Sequence, residues 1–176
     1  VFSGYASLFG LQHVLKTRLG IPDDNSVGSH MFGSAVSCLY IFNLIFRVAH
    51  NVIFGRLDCR QRTLVAMSCM TLALLVLALP VMLLEFKHLA WVVLAYSLGG
   101  VAIGSFEVNF LCYMLPLGPR IKHAAIIGIP VGITLVMVGG FFVMGPPLSL
   151  SGTSVYLSVA SLTVGGMVLL VCGMPL

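Results

Sequence analysis

A chain of 176 residues has the length of one soluble domain, but its composition excludes that class. Charged residues make up 8% of it and mean hydropathy is +1.10, whereas soluble domains carry about 25% charged residues. Nine Lys and Arg with five Asp and Glu, net +4, are too few to solvate such a globule, so the sequence reads as an integral, multi-pass, all-α membrane protein. Its apolar runs are continuous rather than alternating, which disfavours a transmembrane barrel. Charge this sparse reports orientation in a bilayer and not a groove for nucleic acid.

A hydrocarbon core about 30 Å thick takes about 20 apolar residues of helix. Six segments answer to that length, at approximately 1–18, 31–54, 63–84, 89–117, 124–144 and 155–176, and residues 1–176 are expected to form one six-span bundle. The first is apolar to about Leu15, ends in Lys16, Arg18 and Gly20, and leads into the polar loop Pro22-Asp23-Asp24-Asn25-Ser26. The second closes on Gly55-Arg56-Leu57-Asp58-Cys59-Arg60-Gln61-Arg62, the most charged stretch of the chain. Glu85, Lys87 and His88 close the third, Pro119, Arg120, Lys122 and His123 the fourth, and Pro146-Pro147 the fifth. Both chain ends fall inside apolar runs, so a fragment of a longer membrane protein is expected. Basic residues concentrate in loops 55–62 and 118–123, which are therefore predicted cytoplasmic; Lys16, Arg18 and Lys87 on the other side are offset by Asp23, Asp24 and Glu85.

Five scattered cysteines without Cys-x-x-Cys spacing are expected to be packing residues, with no disulfide framework. Histidines 30, 50, 88 and 123 sit near span ends and are expected to be wetted there, while Phe86, Trp91 and Tyr96 fit an interfacial belt. No His-x-x-x-His or Glu-x-x-His spacing occurs, so neither a metal nor a cofactor is expected. An enzyme is not expected either: there is no nucleophile elbow, no paired carboxylates and no phosphate loop.

Six spans with a basic loop between the second and third resemble one half of a major facilitator superfamily transporter. The signature of that loop is a Gly, an Asp four residues on, and a basic run with a second Gly. Here Gly55, Arg56, Asp58, Arg60 and Arg62 stand at that place, with Asp58 three residues after Gly55 and Gln61 at the second glycine's position. A weaker echo is Gly128-Ile129-Pro130-Val131-Gly132 in span five, which reads equally as a Gly-x-x-x-Gly packing face with a proline kink. The resemblance implies a half-bundle of two inverted three-helix repeats and a second six-helix half. It also implies alternating-access transport of a small polar or organic solute, with a coupling ion, and a loop acting as a conformational latch. The alternative is a non-transporting subunit or scaffold of a larger complex, with the lipid bilayer as the common partner.

Two ionisable residues fall inside the spans. Arg47 and Glu107 lie at similar depths in two parallel helices, and an unpaired charge there costs at least about 2.5–3.5 kcal/mol. Three roles stay open: a structural clamp between the two, a cavity role in contact with solute, and proton coupling by Glu107. Gly100 and Gly104 share a face with Glu107 and would admit a neighbouring backbone, and Asn43 lies one turn from Arg47.

Overall fold

The computed structural model describes residues 1–22, 26–144 and 151–172, all helical apart from short connections. The helices are α1 (Phe2–Gly10), α2 (Gln12–Leu19), α3 (Val27–Ile53), α4 (Cys59–Val76), α5 (Leu89–Met114), α6 (Pro119–Met144) and α7 (Gly152–Cys172). A π-helical segment, Leu77–Leu83, continues α4, and a 3-10 turn, Leu115–Leu117, follows α5. Asp23, Asp24, Pro146 and Pro147 lie outside the described residues.

Among the described residues, five helices are long and apolar enough to cross a membrane: α3, α4 with its π segment, α5, α6 over Pro119–Gly140, and α7. The protein is thus a polytopic helical bundle of membrane type. The first expected span differs. It is broken at Leu11 into two short helices, and neither has the length to cross alone. At the break, the Tyr96 hydroxyl donates to the Leu8 carbonyl at 2.6 Å, the acceptor that a continuous helix would pair with the Gln12 N–H. Tyr96 is therefore fully buried between α1 and α5 and not in an interfacial belt. Phe86 and Trp91 do stack on each other at the start of α5, with ring centroids 6.5 Å apart.

Local sequence explains the other ends. Gly20, at φ 69°, closes α2 in a Schellman motif: its N–H donates to the Thr17 carbonyl, and the Ile21 N–H donates to Lys16. Ser26 caps α3 by accepting from the Ser29 N–H. Pro80 sits inside the third span, where a missing N–H and a bulky ring disrupt an α ladder. The chain takes wider turns there, with the Leu84 N–H reaching back to Leu79 and the Phe86 N–H to Pro80.

The core is built from α1, α2, α3, the α4 rod, α5 and α7, around Leu8, Leu15, Phe32, Leu39, Leu74 and Tyr156. Helix α5 lies at its centre, packed along α3 on one side and α4 on the other, while α4 also meets α7 and α1 meets α6 and α7. Helix α6 is the outlier. No residue from Pro119 to Gly140 is buried.

Candidate functional site

The crossing of α3 over α5 is set by two missing side chains. A Cβ on Gly100 would collide with the Leu39 carbonyl oxygen and lie 3.0 Å from the Asn43 backbone nitrogen. One on Gly104 would come within 2.5 Å of the Asn43 carbonyl oxygen and 3.0 Å of the Arg47 nitrogen. Only glycine lets the two backbones approach this closely, which is how small residues bring membrane helices together.

One turn beyond the glycines, Arg47 Nη2 donates to Glu107 Oε2 at 3.1 Å. The depth match read from the sequence thus becomes a contact between two parallel helices. The side chains remain 56% and 39% exposed in the isolated chain, so the pair lies on the outer edge of the crossing and outside the apolar core. A charge pair at that depth is tolerated against protein or a water-filled cavity, not against bare hydrocarbon. Beneath it His50 is buried, its Nδ1 3.1 Å from the Arg47 carbonyl oxygen, which departs from the wetted position expected of it. The Asn43 side-chain oxygen is buried without a hydrogen-bond partner at the same crossing. Asn109, on another face of α5, bonds the Ser105 carbonyl of its own helix.

The loop 55–62 is organised by hydrogen bonds at one end of the bundle, here called the basic end. Asp58 caps α4: its Oδ1 accepts the Gln61 N–H at 2.7 Å, and the Gln61 side chain accepts the Asp58 N–H at 3.2 Å. This reciprocal capping box accounts for Gln61 at that position: an Asp there is placed to accept from the start of the next helix, and the Asp58-x-x-Gln61 spacing adds the return bond. Arg62 ties the loop back to α3 by donating to the Leu57 carbonyl at 2.8 Å and to Asn51 Oδ1 at 2.6 Å. Arg60 reaches across to α7, where Nη2 donates to the carbonyls of Leu170 at 3.2 Å and Val171 at 2.8 Å. A guanidinium on those terminal carbonyls also complements the negative end of the helix dipole. Gly55 and Arg56 are exposed.

Cys59 and Cys112 form a disulfide at this end, with Cα atoms 6.2 Å apart, joining the start of α4 to the last turn of α5. This corrects the expectation that all five cysteines are packing residues. Cys38, Cys69 and Cys172 are free. The pairing was hidden because the cysteines are 53 residues apart and meet only once α4 and α5 are known to be neighbours.

The span-five stretch is placed quite differently. A Cβ on Gly128 would meet nothing within 4 Å, and one on Gly132 would meet only Ser3 Oγ, at 3.5 Å. Pro130 lines an open apolar recess on the outer face of α6 with Val131, Thr134 and Leu135. At the opposite end of the bundle, Arg18 pairs with Glu85 at 2.7 Å beside His13 and Lys87. No cluster of three or more His, Cys, Asp or Glu that could hold a metal occurs among the described residues. Comparison with protein-family models, curated proteins and solved structures gives no match.

Proposed function

We propose that this chain is one six-helix body of a secondary transporter of major facilitator type, moving a small polar or organic solute by alternating access against a second six-helix body. The observation that carries the reading is the Arg47–Glu107 pair, inside two membrane-type helices yet half exposed on their outer edge. Such a pair calls for a polar occupant or a water-filled cavity on that edge. Solute or coupling ion would compete for one member of the pair, and Asn43, with its unpartnered oxygen, stands beside them.

The helix contacts support the repeat. With α1 and α2 counted together as the first segment, the second and fourth segments pack as the first and fifth do, and the third and fourth as the first and sixth do. The third and sixth pack on each other. Exchanging segments one with four, two with five and three with six carries each of these pairings into another or into itself, whereas the packing of the first segment on the third and of the fourth on the fifth has no counterpart of that extent. Two inverted three-helix repeats would have this property. The loop from Gly55 to Arg62 is then the latch of the fold and faces the cytoplasm in this reading. Its contacts run from Arg62 to α3 and from Arg60 to α7.

The closed 3.1 Å distance favours a second reading, a permanent clamp in a non-transporting subunit or scaffold. Reconstitution of the full-length protein into liposomes, with uptake and exchange measured over a panel of solutes, separates the two. Transport that is lost or altered in affinity in Glu107→Gln supports the transporter. A Glu107→Gln protein whose rate, affinity and pH dependence all match the wild type ends the proposal for this site.

A further inference from the structure

Helix α4 and helix α7 do not close on each other along their outer sides. Between them runs an open groove of about 610 Å³, lined by Leu64, Ser68, Leu72 and Leu75 of α4 and by Val168 and Val171 of α7. The polar groups in this wall are already engaged, since Ser68 and Thr71 hydroxyls donate to carbonyls one turn back in their own helix. The groove therefore presents hydrocarbon to its occupant along about three turns of α4, and its volume is within the range of small-molecule sites, about 300–1,000 Å³.

Its end at the loop 55–62 is different. Arg60 precedes Leu64, Ser68, Leu72 and Leu75 on one face of α4, at helical spacings of four, four, four and three residues. Arg60 closes the groove there by bonding the carbonyl of Val171, itself a lining residue. Among the described residues its Nε–H has no acceptor, and no carboxylate pairs with it. Asp58, the nearest acid in sequence, is occupied in the capping box. Arg56, one turn before, is exposed. An apolar channel that ends at uncompensated guanidinium charge is complementary to one class of molecule, an amphiphile with an acyl chain and an anionic head.

We infer that the α4–α7 groove is a binding site for an anionic phospholipid, with an acyl chain along Leu64 to Leu75 and the phosphate at Arg60. The site is independent of whether the chain moves a solute. Arg60 would hold the headgroup and the end of α7 together, so that lipid occupancy stiffens the junction of loop 55–62 with α7.

The test is native mass spectrometry of the full-length protein, released from detergent with phosphatidylglycerol or phosphatidylcholine of identical acyl chains. The wild type should retain phosphatidylglycerol in preference. Arg60→Gln should lower that preference about five-fold, the effect of one basic group near a headgroup. Arg60→Lys should keep most of it. Val168→Trp, at an exposed groove position that does not support the core, should reduce retention of both lipids by filling the channel. Arg120→Gln, at the same end on α6 and away from the groove, should change nothing. Equal retention of the two lipids by the wild type would overturn the proposal. So would an equal loss of preference in Arg120→Gln and Arg60→Gln, since the attraction would then be diffuse. Competition by glycerol 3-phosphate as strong as by the whole lipid would remove the groove from the site.

Discussion

Gly100-x-x-x-Gly104 and Gly128-x-x-x-Gly132 have the same spacing and opposite surroundings. The first pair is pressed against the backbone of α3 so closely that a methyl group has no room on either residue. The second lies on the least buried helix of the bundle, with open space beside Gly128 and a loose contact from Ser3 beside Gly132. The spacing alone, then, says only that a close approach is possible. What distinguishes the two is the rest of the face: Glu107 continues the Gly100 and Gly104 face, and Asn43 and Arg47 of α3 repeat at the matching four-residue interval. The first stretch has a partner within the chain; the second has a side left uncovered.

The largest effect is therefore expected at Gly104. Gly104→Leu drives a branched side chain into the Asn43 carbonyl and the Arg47 nitrogen, which belong to backbone and cannot rotate away. Overpacking of a close contact costs about 1–3 kcal/mol, more where backbone must shift. The variant should lose the monodisperse, thermally cooperative form of the purified protein. Gly128→Leu should keep it. Equal damage from both would mean that α6 is covered in the working protein by something as tightly fitted as α3.

The next effect concerns the charges that the first glycine pair brings together. Glu107→Gln leaves Arg47 alone at depth, and if the pair faces protein or lipid the cost is about 2.5–3.5 kcal/mol on insertion scales. If water reaches it, the loss falls to about 0–1 kcal/mol, as for solvated ion pairs. Thermal unfolding of Glu107→Gln, Arg47→Gln and the double variant thus reads out what lies on the uncovered edge. A double variant more stable than either single one identifies a clamp; near-additive small losses identify a wet cavity.

A smaller and chemical effect probes the other link to α5. In protein purified and then unfolded without reductant, maleimide should label Cys38, Cys69 and Cys172 and reach Cys59 and Cys112 only after reduction. Labelling of all five without reductant would show free thiols at that end. This bears on orientation, because disulfides persist in oxidising compartments and are rare in the cytosol. The bond and the cytoplasmic placement of loop 55–62 pull in opposite directions, and protease or label access from each side of sealed vesicles decides between them.

How far the sequence carries such arguments depends on which contacts are needed. Membrane character and the five long helices follow from composition and run length, which require no partner. Arg47 and Glu107 were legible as a potential pair because helix rise alone gives their depths. The break at Leu11 was not legible, since it depends on the Tyr96 hydroxyl, 88 residues away, reaching the Leu8 carbonyl. His50 and Tyr96 look interfacial by position and are buried by packing. The π segment at Pro80 was half legible: proline forecasts a disturbance, but not whether the helix kinks, ends or widens.

The smallest expected effect is the sharpest test of the contrast, because its sign reverses between the two glycine pairs. In a helix interior alanine is favoured over glycine by about 0.8–1.0 kcal/mol. At Gly128, with nothing within 4 Å of the added carbon and no positive φ, that preference is free to act, so Gly128→Ala should raise the melting temperature slightly or leave it unchanged. At Gly100 the same preference is opposed by collision with the Leu39 carbonyl and the Asn43 nitrogen, so Gly100→Ala should lower it. The pair of measurements needs no ligand and no assumption about transport. If Gly128→Ala leaves the isolated protein's stability intact yet abolishes exchange in liposomes, the open side of α6 is an approach surface used during the cycle. If it destabilises the isolated protein as Gly100→Ala does, α6 is already packed and the contrast between the two stretches disappears.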